Sequence, residues 1–126
     1  MPVDWVRRGA VVVVRTIGNY TNAEVRAAID EAAADPAFHA GTSLAFDGTL
    51  SEAPISKQDV EWRVAVLRTL PARGFSSRIA IIVRADERYR FGLARQLSML
   101  VEPHEIELKP FPDLEAAMAW LSVTAD

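Results

Sequence analysis

Few side chains in this chain can do covalent or metal chemistry. There is no cysteine, which excludes a thiol nucleophile, a disulfide framework and thiolate metal sites. The two histidines, His39 and His104, stand alone. Neither belongs to an H-x-x-x-H pair, and no G-x-S-x-G elbow offers a serine to activate. Both are therefore read as structural. Asp47 closes an apolar run and precedes Gly48. It is either a carboxylate pointing into a cleft or the acceptor of an Asx-turn, and turn chemistry favours the second.

Ser51 and Ser56 are candidate phosphorylation sites, since a phosphate at a helix N-terminus is well placed electrostatically. Plain capping accounts for Ser56 without it. Arg84, Arg88, Arg90 and Arg95 surround Asp86 and Glu87, which leaves an excess of positive charge near a helix start. Such a group, with Tyr89 beside it, suits an anionic ligand or an acidic partner. A solvated surface of local ion pairs is the competing reading. Glycine-rich phosphate loops are absent, which argues against Rossmann and P-loop nucleotide sites. Trp62 falls off the apolar stripe of its segment. It serves either as a pocket or interface wall or as a rim residue packed on a neighbouring helix.

These residues need a scaffold, and composition bounds it. The chain has 126 residues, half of them apolar, and a formal charge of −3. One domain spanning 1–126, with its own core, fits that length. Twelve arginines against two lysines, with abundant alanine, suggest a GC-rich bacterial genome. The near balance of charge gives no general attraction for nucleic acid or anionic membrane. No leader-like apolar stretch opens the sequence and no apolar run approaches a membrane span. A soluble, cytoplasmic protein is expected.

Val11–Val14 is a β-branched run that reads as a strand covered on both faces. A weaker strand, Val3–Arg7, precedes it, with Arg8-Gly9 turning the chain back. Thr21-x-x-Glu24 is a capping box, with Tyr20 and Val25 as its staple. Val25, Ala28, Ile29 and Ala32 follow at helical spacing, and Asp35-Pro36 closes the helix. Ser43–Phe46 is a strand ending at Asp47, and Gly48–Pro54 a loop.

Ser56 with Asp59 is a second capping box, stapled by Ile55 and Val60. Val60, Val64 and Leu67 form the stripe of its helix, which Pro71 and Gly74 end. Arg78–Arg84 is a third, central strand. Asp86 is expected to cap a helix reaching Val101, with Leu93, Leu97 and Leu100 inward and Gly92 in close packing. Glu105–Lys109 reads as an edge strand. Phe111–Glu115 opens the last helix, with Pro112 at its first position and Trp120 at the border of its buried face. The order β-β-α-β-α-β-α-β-α implies an α/β domain with a mixed, mostly parallel sheet.

This set resembles the SpoIIAA-like family of the STAS superfamily. The resemblance rests on Gly18 with Thr21-x-x-Glu24, Asp35-Pro36-x-Phe38 with Gly41, and the strand ending in Asp47. It rests also on Arg78–Val83 with Tyr89 and Gly92-Leu93-Ala94-Arg95. Most specific is the closing Phe111-Pro112-Asp113-Leu114-Glu115-Ala116-Ala117-Met118-Ala119-Trp120-Leu121. The resemblance implies four or five strands with four helices, largely on one side of the sheet. It implies a non-enzymatic role, and no cofactor is expected. Anti-anti-sigma relatives bind kinases and are switched at a D-S-x-G serine. Here Asp47-Gly48-Thr49-Leu50-Ser51 stands instead.

The expected function is a regulatory or binding module acting through protein contact or a small ligand, and a homodimer. Its candidate binding residues are Asp47, Ser51, Ser56, Arg84, Asp86, Tyr89 and Arg95. Similarity of the fold to the CRAL-TRIO class keeps a second reading, a carrier of a small apolar or lipid-like ligand.

Overall fold

The computed structural model describes residues 2–52, 55–84 and 86–122. Five strands, β1 (Val3–Arg8), β2 (Val11–Gly18), β3 (Thr42–Ser51), β4 (Phe75–Ile82) and β5 (Glu107–Phe111), form one sheet in chain order. Four helices, α1 (Asn22–Ala34), α2 (Lys57–Thr69), α3 (Arg88–Val101) and α4 (Leu114–Leu121), complete the fold. β1 and β2 form an antiparallel hairpin, and β2 through β5 run parallel.

Sequential strand order decides where the helices go. Right-handed crossovers that always step in one direction place every connecting helix on the same face. So α1, α2 and α3 share a face. There they cover Val12 and Val14 of β2, Leu44 of β3, Ile79 of β4 and Leu108 of β5. α4 connects nothing further and folds over the other face, where Ala117 and Leu121 meet Val11, Val13, Ala45, Ala80 and Ile82. The four valines of β2 are all buried because each face has a cover. The expected burial on both faces thus holds, and three helices to one matches the predominance on one side.

Local signals explain the helix starts. In α1 the Thr21 hydroxyl accepts from the Glu24 amide at 3.2 Å, and Glu24 accepts from the Thr21 amide at 3.0 Å. Ser56 and Asp59 repeat the exchange at α2, at 3.1 and 2.8 Å. α2 passes into a 3₁₀ turn, Pro71–Arg73, stopped by Gly74 at φ 100°.

Several expectations shift. The hairpin turn is Gly9-Ala10, since Arg8 already pairs with Val11. β3 runs on to Ser51, so the stretch expected as a loop is strand to that point; residues 53 and 54 lie outside the described residues. β4 begins at Phe75, before an irregularity in its pairing with β3, and ends at Ile82. β5 starts two residues late, because Glu102–His104 forms a 3₁₀ turn that Glu105 ends at φ 62°. Leu100 of α3 is exposed; Ala94, Leu97 and Val101 take the inward positions. A Cβ on Gly92 would meet nothing, so close packing is not its reason. Asp113 caps α4 by accepting from the Ala116 amide, which leaves Pro112 outside the helix. Among the described residues no helix is long and apolar enough to cross a membrane.

Candidate functional site

α1, α2 and α3 each follow a parallel strand, so all three N-termini gather at the carboxyl end of the sheet. In open α/β sheets ligands favour that end. A cavity of about 100 Å³ lies there, between the three helices and β2, β3 and β4. Val25 and Ile29 of α1, Val60, Val66 and Leu67 of α2, and Leu93, Ala94 and Leu97 of α3 wall it. Phe46 and Ile81 form its floor, and Trp62 lines it as well. Trp62 is thus a pocket wall, the first of the two roles open to it. Both staple pairs, Tyr20 with Val25 and Ile55 with Val60, belong to the lining. The contacts that set the entry angles of α1 and α2 therefore also shape the cavity.

Few polar groups reach it: Thr16, Tyr20, Ser51, Arg63 and Arg90. Arg63 of α2 donates to the Tyr20 hydroxyl, across 43 residues of sequence. Arg90 of α3 donates to the Ser51 hydroxyl at 3.4 Å. Among the described residues, two arginines and no carboxylate line the cavity.

A bulge turns Ser51 inward. Arg15 pairs with Asp47 and Ile17 with Leu50, so Thr16 alone opposes both Gly48 and Thr49. One extra residue in a strand with a side-chain period of two reverses which face each later residue takes. Without it, Ser51 would share the face of Asp47. With it, Ser51 pairs with Gly18, lines the cavity and is only 6% exposed. Bulges are rare in parallel pairs and often adjoin sites.

Asp47 holds the bulge and is not in the cavity. Its Oδ1 accepts from the Thr49 amide at 3.0 Å and the Thr49 hydroxyl at 2.7 Å. It sits on the other face of the sheet, in a shallow depression with Asp4 and Arg15. This is the Asx role, the one that turn chemistry favours, and it is played away from the cavity. Arg15 clasps Asp4 through two hydrogen bonds, which hold the Asp4 carboxyl below its ordinary range.

The remaining candidates divide. Ser56 is committed to capping, and its hydroxyl also donates to Asp59 at 3.0 Å. A phosphate there would lose that donor and face a carboxylate. Asp59 accepts from the Ser56 amide, and Asn22 of α1 donates to its other oxygen at 3.0 Å. These bonds, the Ser56 amide first, keep the Asp59 carboxyl below the usual range. One carboxylate thus ties the starts of α1 and α2 together.

Arg84 pairs with Glu87 and, at 3.7 Å, with Asp86. The Glu87 bond raises its already high pKa. Asp86 does not cap α3, whose cap residue is Glu87, without a side-chain capping bond. Arg84 and Asp86 therefore form a solvated cluster outside the cavity. Tyr89, exposed, donates to the Ile55 carbonyl at 3.3 Å and joins α3 to the entry of α2. Arg95 is exposed on α3.

Of the expected residues, the cavity therefore takes Ser51. Arg90 enters it from the basic group, while Arg63 and Tyr20 were not anticipated as site residues. Their signal was slight. Tyr20 reads as a staple, and Arg63 as one more polar position beside Trp62. His39 and His104 lie at the amino ends of β3 and β5, across the sheet from Ser51.

Five strands in sequential order, a leading hairpin and one helix on the far face define a SpoIIAA-like fold. A solved structure bears this out. An uncharacterized protein of the DUF3478 family with a SpoIIAA-like fold, from Shewanella loihica PV-4, superimposes with a TM-score of 0.61. The match covers 94% of this chain and 91% of that one, at 17% identity. No family model and no curated protein matches the sequence.

Proposed function

We propose that this protein is a non-enzymatic binding module that takes up a small apolar molecule at the carboxyl end of its sheet. The observation that carries this is the cavity walled by aliphatic and aromatic side chains of three different helices. Its volume of about 100 Å³ limits the ligand. Pockets for drug-sized molecules start near 300 Å³, whereas an apolar cavity of about 150 Å³ holds benzene. The enclosed space is smaller than that and open at one side, so a short chain or a single ring that partly protrudes fits, and a long acyl chain does not. Carriage of a larger lipid-like ligand is accordingly not part of this proposal. Because the walls belong to α1, α2 and α3, occupancy would brace the helices against one another. That supports a regulatory use.

Thermal unfolding with increasing toluene tests the reading. A saturable rise in Tm is expected, and Ala94→Leu, which grows a side chain into the cavity, should abolish it. No rise, or one unaffected by Ala94→Leu, refutes it. A second reading, contact with a protein partner or a second copy, draws on Met99 and Leu100. They are 70% and 44% exposed on α3. Loss of self-association in sedimentation on Met99→Lys would support the homodimer; a monomer in the unmodified protein would end it.

A further inference from the structure

We infer that the ligand of this cavity carries a carboxylate, held by Arg63 and Arg90; the inference rests on the reading of the cavity as a small-molecule site. Two arginines from different helices reach a lining that, among the described residues, contains no aspartate or glutamate. A planar two-oxygen acid matches the fork of a guanidinium and brings the opposite charge to it. Arg63 is held toward the cavity by donating to Tyr20, and a guanidinium has further N–H donors to spend. Among the described residues Arg63 has no ion pair. On its helix Glu61 is exposed, and Asp59, one turn earlier, is committed to Ser56 and Asn22 and meets Arg63 only as a nearby charge. Arg90 approaches from α3 at the buried Ser51 hydroxyl, which can also donate. The apolar walls take the body of the ligand, and the arginines take its head.

The ligand class follows as a small aromatic or short aliphatic carboxylic acid in its ionised form. A neutral ring of the same size would fill the walls and leave the arginines without the acid. Calorimetric titration with benzoate and with benzamide, its neutral counterpart of nearly equal shape, separates the two contributions. Benzoate is expected to bind about tenfold tighter, the scale of one charge-assisted bond. Added salt should weaken benzoate and leave benzamide unchanged. In Arg63→Gln the two affinities should converge, by loss of benzoate binding alone. Tyr20→Phe removes the internal hydrogen bond but keeps the charge, and it should retain a preference for benzoate. Should Arg63→Gln not fold, Arg90→Gln and the salt dependence make the same distinction. Equal binding of the two compounds overturns the carboxylate and leaves the apolar site standing. Tighter binding of phenyl phosphate than of benzoate overturns it as well. Binding of neither compound overturns the site together with its head group.

Discussion

At the scale of single residues, Asp59 does the most with one side chain. It completes the α2 capping box with one oxygen and accepts Asn22 of α1 with the other. Ser56→Ala should cost about 1 kcal/mol in urea unfolding, the usual loss for such a cap. The same group sets a dependence on acid. Its folded pKa lies below the unfolded value of about 3.9, so its contribution is present above that value. It is lost as pH falls through the folded pKa. Asp4, lowered by Arg15, acts in the same direction. Asp59→Asn should flatten the acid limb of stability against pH, with the Asp4 portion left in place. The capping boxes were readable because they are local, each spanning four residues with a physical exchange between its ends. Tyr20 with Arg63 was not, because its partners are 43 residues apart and meet only through the crossover.

At the scale of elements, strand boundaries proved harder to read than helix starts. β3 was expected to stop at Asp47, since Asp-Gly is a turn signal. In the fold the same pair makes a bulge, and the strand resumes to Ser51. Local sequence cannot separate a turn from a bulge, as both use an Asx acceptor and a glycine. Only the neighbour β2, with Thr16 facing two residues, decides it. The missed length of β3 hid the inward turn of Ser51, and with it the cavity. Elsewhere the punctuation was accurate. Gly74 ends the turn after α2 with φ 100°, and a Cβ there would stand 3.4 Å from the Phe38 ring. Gly74→Ala should therefore cost about 1–3 kcal/mol, for a left-handed conformation a side chain resists. Thermal melting would register the loss.

At the scale of the whole molecule, the sheet has one heavily covered face and one lightly covered face. Leu121 and Ala117 of α4 are the buried helix residues over the second. Leu121→Ala should destabilise the protein by about 2–3 kcal/mol in denaturant, near the lower end of leucine truncations. Apolar order along the chain made the need for two covers readable, because β2 is valine on both faces, whereas the uneven split between them was implied by the resemblance to the SpoIIAA-like family. The distribution of aromatic side chains carries a practical consequence. Trp62 stands at the cavity wall, Trp5 packs at the margin of the three-helix core, and Trp120 lies beyond the sheet against Phe111, Arg78 and Lys109. With Trp5 and Trp120 replaced by Phe, the remaining indole would be a fluorophore at the walls of the cavity. Its emission would then serve as an optical gauge of occupancy, without any label attached to the protein.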